Sequence, residues 1–457
     1  MRLPILASLV ALLLLSPDLT AQRRGRFNRG GQGEGGGSPA AEQPAAPQAT
    51  DGKPKKHTAI TGGDVYLGTG QRITGATVLI GDDKILAVGH KIELPEGTTV
   101  IDAKGKTVCP GFVCVYGAGM GQGRGTPWID SCNPFDPEIK QGLAAGVTSF
   151  LAGAPRGGNS PAGDAAVVKL AWGKVEDMVL QEGTVLGMNA QLPAGEREKF
   201  RDLVKQAKEH RRAQEDFLAK KSEDPTAKPP KAPAGTEKIL DILSGKSKLW
   251  LQLGGGGFNP FGGGRTGAGS DLDAIRSAMQ IAAELGTGVV LVKPLSAWLC
   301  ADEIAATDSM VILSPRDRVP ADPADPDRTG SNLASAALCN QAGIPLAVTC
   351  PVGMFGGAGV GTNGLLGMDL NTPTVDAAFA VRGGMTSSQA LRTLTLDAAK
   401  ILGVDHRIGS LEAGKDADIL ILDGDPMHYR TFVEVAIVNG RVVYELANEP
   451  LYSRIHR

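Results

Sequence analysis

With 457 residues the chain exceeds what one ordinary domain needs and has room for a barrel-sized core plus a smaller partner domain. Hydrophobic residues at 42% and charged residues at 21% place it among globular proteins, and a formal net charge of -2 offers no attraction to nucleic acid, which excludes that class of partner. Six cysteines (Cys109, Cys114, Cys132, Cys300, Cys339, Cys350) without a CxxC pair exclude a disulfide scaffold and a zinc ribbon.

Residues 1–22, MRLPILASLVALLLLSPDLTAQ, carry one basic residue (Arg2), an apolar stretch and a small-residue end, the pattern of a cleaved secretion signal. A membrane anchor would need roughly 20 apolar residues. The expectation is export to a periplasm or beyond the cell, with no membrane span after cleavage. Residues 23–56 hold seven Arg and Lys against three acids and almost no large apolar side chains, so they read as a disordered basic linker rich in Gly and Pro.

From residue 57 the pattern turns β-like, with DVYLGTG, ATVLIGDDKILAVG and TTVIDAKGKTVCPG alternating apolar and polar residues between Gly and Asp turns. The same texture returns in ADILILDGD and VEVAIVNGRVVYE, where VNGR is a hairpin signal. Segments 57–109 and 404–450 are therefore expected to pair into one small composite β-sandwich domain built from both ends of the chain. Between them, 110–403 alternates short apolar runs (GVTSFL, DAAVVKLAWG, KLWLQL, GTGVVLVK, SMVILSP, GIPLAVT) with helical stretches, the rhythm of an α/β fold whose most economical form is a (β/α)8 TIM-like barrel. A doubly wound sheet is the alternative, weakened by the lack of a GxGxxG after the first strand. Inserts near 195–236 and 254–270 interrupt the rhythm. The first is a charged helix with Phe200, Leu203, Val204, Ala207 and Leu218 toward one face, and the second is a glycine-dense loop without the GKS/T of a phosphate-binding loop.

The run DAAFAVRGGMTSSQALRTLTLDAAKILGVDHRIGSLEAGKDADILILDGDP, 376–426, closely resembles the C-terminal signature of the amidohydrolase superfamily. TVCPGF at 107–112 resembles the start of that family's first barrel strand, and AWLCADEIAATDSMVILSP is similar to a later helix and strand of its imidazolonepropionase-like branch. The resemblance spans roughly 58–447 and implies hydrolysis of non-peptide carbon-nitrogen bonds by water on one or two divalent metals, zinc being usual, at the barrel's C-terminal mouth.

Aligned on Pro110, Gly111 and Phe112, the family's D-x-H-x-H falls on Cys114, Tyr116 and Ala118. The remaining ligand positions fall on Gln252 or Leu253, on Lys293, and on Cys350 and Pro351, and no histidine lies between His210 and His406. The expected metal set is thus none. Strand alternation predicts that Cys114, Tyr116 and Ala118 share a face at the mouth, and the pocket candidates are Cys114, Tyr116, Lys169, Gln252, Lys293 and Cys350. Lys169 and Lys293 are placed on the third and sixth strands, each either as a lysine salt-bridged to an acid inside the barrel or as a nucleophile or base. Cys114 and Cys350 are read as buried thiols, a disulfide or, least favoured, soft-metal ligands. Asp317, Asp322, Asp325 and Asp327 are read as a solvated loop, His406 and His428 as surface residues, and Trp172, Trp250 and Trp298 as packing in or around the barrel.

The reading is a catalytically degenerate member, a pseudoenzyme that binds a small molecule or partner at the old mouth and leaves its outer surface open to homo-oligomerisation. The alternative is an active hydrolase with a remodelled or metal-free site using Lys293, Lys169 or a cysteine.

Overall fold

Short alternating runs broken by Gly and Asp become β1 (His57–Tyr66), β2 (Arg72–Gly81), β3 (Lys84–Gly89), β4 (Thr99–Asp102) and β5 (Thr107–Pro110). The computed structural model describes residues 56–123, 127–155, 157–220, 228–253, 268–316, 321–349, 360–361 and 372–450. The expected signal, nearly all of the linker, most of the second insert, and Asp317, Cys350 and Pro351 lie outside the described residues. β2 pairs antiparallel with β1 and β3, while the other edge of β1 takes β4 and β5 in parallel.

Gly111 turns the chain from this sheet into the barrel wall. A β-carbon there would overlap the Thr148 side chain, so the close approach requires glycine. The wall begins with β6 (Phe112–Cys114), continued by the short β7 (Gly117–Ala118), and returns through α1 (Pro137–Ala144) to β8 (Val147–Ala152), which pairs parallel with β6. Asp136 caps α1 by accepting from the Glu138 N–H, with Pro137 at the first helical position.

The third position departs from the expected parallel rhythm. β9 (Ala166–Lys169) runs antiparallel to β8 and to β10 (Val179–Glu182), and Ala162 just before it bridges antiparallel to Gly187 of β11 (Val185–Asn189). A parallel return needs a crossover of about a dozen residues, usually a helix. The linking segment GAPRGGNSPAGDA is dense in Gly and Pro and holds no helix, so the chain folds straight back.

Regular units then resume with α2 (Ala194–Lys220), α3 (Glu237–Leu243), β12 (Lys248–Gln252), α4 (Ala268–Leu285), β13 (Val290–Val292), α5 (Ala301–Ala305), β14 (Met310–Leu313), α6 (Ser335–Gln341) and β15 (Leu346–Val348). β11 to β15 form one parallel sheet in chain order. β16 (Val360–Gly361) pairs parallel with β7. In α2, Phe200, Val204 and Ala207 are buried, whereas Leu218 is 65% exposed, so only the first half of the helix uses its apolar face.

The helices α7 (Thr372–Arg382), α8 (Ser387–Thr393) and α9 (Leu396–Leu402) complete the wall. Thr386 and Gln389 form a reciprocal capping box on α8, and Gly403 ends α9 in the left-handed region at φ 74. Ala398, Ile401 and Leu402 of α9 join Val113, Leu151, Val167, Trp250, Val290, Ile312 and Ala347 in the barrel interior. Gly403 lies against Lys248, at the start of β12, so α9 plugs the amino-terminal end of the barrel.

The chain then returns to its first sheet as β17 (Ile419–Leu422), β18 (Val433–Val438) and β19 (Arg441–Glu445). β17 pairs antiparallel with β5, which joins both ends of the chain in one eight-stranded sheet. Asn439 and Gly440, at φ 49 and 69, make the tight turn expected of VNGR.

Reversal of β9 carries Lys169 to the barrel's amino-terminal end, opposite Ser149 near the start of β8. Its ammonium, 1% exposed, reaches Asp416 Oδ2 at 2.7 Å, Asp418 Oδ2 at 2.9 Å and Asn439 Oδ1 at 2.6 Å. Arg407 Nη2 also donates to Asp416 at 2.7 Å, and Lys84 pairs with the same carboxylate. Burial alone would raise the Asp416 pKa, but the Lys169, Lys84 and Arg407 cations outweigh it and hold the group at about 2.

Lys169→Met should therefore cost about 3 to 5 kcal/mol by urea denaturation, because two buried carboxylates lose their shared cation. With a folded pKa below the usual value, Asp416 contributes stability above about pH 4 that is lost as pH falls toward 2. In Lys169→Met that loss should begin at higher pH, read by circular dichroism during acid titration.

Candidate functional site

The carboxyl ends of the parallel strands carry the polar groups of the barrel mouth. In β12, Trp250 points into the barrel and Leu249 and Leu251 point outward, so Gln252, two residues beyond Trp250, faces inward again. Its register partners are Asn189 on β11 and Val292 on β13, and Val292 in turn sits level with Ile312 and Ala347. The mouth is thus two carboxamides beside an aliphatic wall.

Tyr116, 8% exposed, completes the group. It shares a hydrogen bond with Gln252 and sets its ring edge-on to Trp250, with centroids 5.4 Å apart. Gln252 Nε2 also donates to the Pro155 carbonyl at 3.4 Å. A β-carbon on Gly157 would overlap Asn189 Oδ1, so backbone lies directly against the carboxamides. Burial raises the Tyr116 pKa above the ordinary phenol value, against a smaller opposing effect of the Gln252 hydrogen bond, so the group is a neutral phenol at physiological pH.

The other expected pocket residues do not converge on this pair. Cys114 packs on the opposite side of the wall with Phe112 and Phe150, because β6 ends at Cys114 and the chain turns before Tyr116. Strand alternation therefore stops holding at that point. Ala118 is exposed on β7, and Leu253 packs outward. Lys169 lies at the far end of the barrel in the ion network described above. Lys293 follows the inward-facing Val292 with φ 54 and lines a separate small cavity beside Leu313, Ser314, Asn332 and Ala336.

Cys350 lies outside the described residues. Of the remaining thiols, burial pushes Cys300 up to about 11 and Cys339 up to about 12, which disfavours a thiolate nucleophile at either. Asp322, Asp325 and Asp327 sit in an exposed loop, where the Asp322 N–H donates to Thr329 at 2.7 Å. His428 stacks on the exposed Tyr429, and His406 is an exposed residue after α9 whose pKa is lowered by partial desolvation. Trp172 packs on Phe135 beneath the Lys140 ammonium, and Trp298 is half-buried after β13.

Asn189 was not marked by sequence reasoning, although the alternation Val185, Gly187, Asn189 signals an inward carboxamide. A buried Asp376 on α7 receiving Arg316 Nε at 2.9 Å and Nη2 at 3.1 Å also escaped it, since the two residues are far apart in sequence. Among the described residues, the donors at this mouth are a neutral phenol and two carboxamides. No group of three His, Cys, Asp or Glu suited to an ion occurs among the described residues. This donor set does not fit a water-activating zinc or similar divalent ion.

Residues 309–444 match the Amidohydrolase family model. The chain is 25% identical over 395 residues to an imidazolonepropionase of Symbiobacterium thermophilum, covering 79% of this chain and 88% of that protein. A 5-methylthioadenosine/S-adenosylhomocysteine deaminase of the same organism is 36% identical over 75 residues, 13% of this chain and 17% of that protein. Among solved structures, an amidohydrolase from Thermotoga maritima superposes with TM-score 0.59 at 24% identity, covering 85% of this chain and 100% of that one.

Alkaline spectrophotometric titration should show tyrosines ionising above the ordinary range, Tyr66 and Tyr116 among them, with one fewer in Tyr116→Phe. A raised folded pKa means that the stability Tyr116 contributes is complete below about pH 10 and falls as pH climbs beyond it. The Phe variant should show a shallower alkaline loss of melting temperature.

Proposed function

We propose, from the premise that this chain belongs to the amidohydrolase superfamily of hydrolases, that its barrel mouth binds a small neutral planar ligand without the family's metal-assisted hydrolysis. The Tyr116–Gln252 pair supports this reading. Aligned on Pro110, Gly111 and Phe112, Tyr116 falls where the family's motif has a metal-binding histidine, and the pair supplies hydrogen bonding without Lewis acidity. Gln252 and Asn189 each carry one acceptor oxygen and two donor hydrogens, complementary to the carbonyl and N–H edge of a cyclic amide or imidazolone ring. The relative's name, imidazolonepropionase, points to the same kind of ring. Trp250 and Val292 would cover its apolar faces.

Mechanistically, this chain's own groups bind and orient. The Tyr116 hydroxyl donates or accepts one hydrogen bond, and Gln252, held by the Pro155 carbonyl, presents its amide plane across the mouth. Neither group generates hydroxide at neutral pH, and the lysine of the metal-free alternative that lies at this end, Lys293, opens into a different cavity. We read the protein as exported and as acting through binding at this mouth.

Calorimetry with hydantoin or imidazolone as probe should give saturable binding that Tyr116→Phe and Gln252→Leu each weaken about five- to tenfold, the worth of one net hydrogen bond. Elemental analysis of the purified protein should find zinc well below one equivalent, and added zinc should bring no turnover of cyclic amides. Stoichiometric zinc that survives dialysis together with turnover would overturn the binding-only reading.

A further inference from the structure

The insert helix α2 contributes nothing to the mouth, yet its cations are ordered. Arg197, Arg201, Lys205, Lys208 and Arg212 follow one another at steps of four, four, three and four residues, and side chains three or four apart share a helix face. They form one stripe, which from Arg201 to Arg212 runs about 16 Å along the helix axis. Beside it, between α2 and the end of α4, lies a concave cavity of about 370 Å³ lined by Arg201, Lys205, Lys208 and Arg212 and by two acids, Glu209 and Glu284. Glu284 is already shared, since its Oε1 accepts from Arg197 Nη2 at 2.9 Å and from Arg201 Nε at 2.8 Å. Lys208 Nζ donates to the Glu284 backbone carbonyl at 2.7 Å, which holds the ammonium at the groove and leaves two of its hydrogens to offer. The other ion pairs of α2 join Lys199 to Glu196 and Arg211 to Glu215, so Lys205 and Arg212 have no acidic partner among the described residues.

Positive charge is therefore in local surplus here, in a chain whose formal net charge is -2. Such a groove selects an anion, and the length of the stripe decides which kind. A single carboxylate would meet one cation and leave its neighbours repelling one another. A short chain of phosphoryl groups carries several negative charges and strong acceptor oxygens along its length, and ammonium and guanidinium groups both bind such oxygens through charge-assisted hydrogen bonds. The cavity is of small-molecule size, and its concave form suits a discrete ligand better than a flat lipid surface. We propose that the groove between α2 and α4 binds an oligophosphate anion, with Lys205, Lys208 and Arg212 on its phosphoryl oxygens and Arg201 at one end. The site is carried by helices and not by the strand ends that make the Tyr116–Gln252 mouth, so the inference stands whatever that mouth does.

Calorimetric titration of the full chain at physiological ionic strength with phosphate, pyrophosphate and tripolyphosphate tests it. Tripolyphosphate should saturate one site, with affinity rising from phosphate through pyrophosphate as more of the stripe is covered. Lys205→Gln and Arg212→Gln should each weaken tripolyphosphate about three- to tenfold with far-ultraviolet circular dichroism unchanged, because both side chains are exposed and unpaired. Lys199→Gln, which removes a cation from the opposite side of the same helix, and Tyr116→Phe should leave the affinity as it was. Absence of saturable binding, equal affinity for phosphate and tripolyphosphate, or undiminished affinity in Lys205→Gln and Arg212→Gln would overturn the site. An equal loss in Lys199→Gln would reduce the effect to net charge and overturn it too. Cosedimentation with phosphatidylglycerol vesicles that Lys205→Gln and Arg212→Gln abolish would place a membrane on the stripe in place of a discrete oligophosphate, and would also overturn it.

Discussion

The buried ammonium of Lys169, shared by Asp416 and Asp418, is the constraint on which the arrangement of the barrel depends. Two carboxylates from the returning segment could not be buried side by side without a cation between them. That cation can reach them only because β9 runs backwards and delivers its last residue to the amino-terminal end of the barrel. Arg407 and Lys84 then complete the charge balance around Asp416, and Asn439 takes the remaining reach of the lysine from the β18–β19 turn. One ion cluster therefore fastens the third wall strand, the plug helix's exit and both ends of the composite sheet.

With the amino-terminal end closed by α9 and this cluster, polar groups that face the barrel axis are left at the opposite end. There the strand register alone brings Asn189 and Gln252 level with Val292, and a turn after Cys114 swings Tyr116 onto them. The result is asymmetric. One half of the mouth hydrogen-bonds and the other is aliphatic, a division suited to a flat ligand with one polar edge. Among the described residues, Lys293 lies at this end with a left-handed backbone and lines a separate cavity, and Arg316 pairs with the buried Asp376.

Much of this was legible in the residues. The composite sheet followed from matching alternation at 57–109 and 404–450, its tightest turn from VNGR, and the barrel from spaced apolar runs. Gln252 could be named, with Leu253 as its alternative, because the two close the run KLWLQL. What alternation could not convey was where a strand stops. Cys114, Tyr116 and Ala118 share a parity, yet β6 ends at Cys114, so the cysteine faces outward and the tyrosine inward. Nor does an apolar run state its direction. AVVK reads the same parallel or antiparallel, and only the helix-free GAPRGGNSPAGDA before it betrays the reversal.

The segment by which the family is recognised is also the segment that builds the junction. Within RIGSLEAGKDADILILD, Arg407 and Asp416 pair, Lys415 reaches Ser410 and Glu412, Asp418 meets Lys169, and Ile419 to Leu422 form the central strand β17. None of these groups lies at the mouth. Resemblance through this run therefore certifies how the sheet and barrel are joined, and that joint is indifferent to whether the opposite end holds imidazoles or carboxamides. A chain can keep every ion pair of the joint while its mouth changes chemistry, because the two ends are separated by the full length of the barrel strands and by the apolar layers of Trp250, Val290 and Ile312. Fold and chemistry are inherited at opposite ends of this barrel, and the mouth has to be judged by the groups it presents.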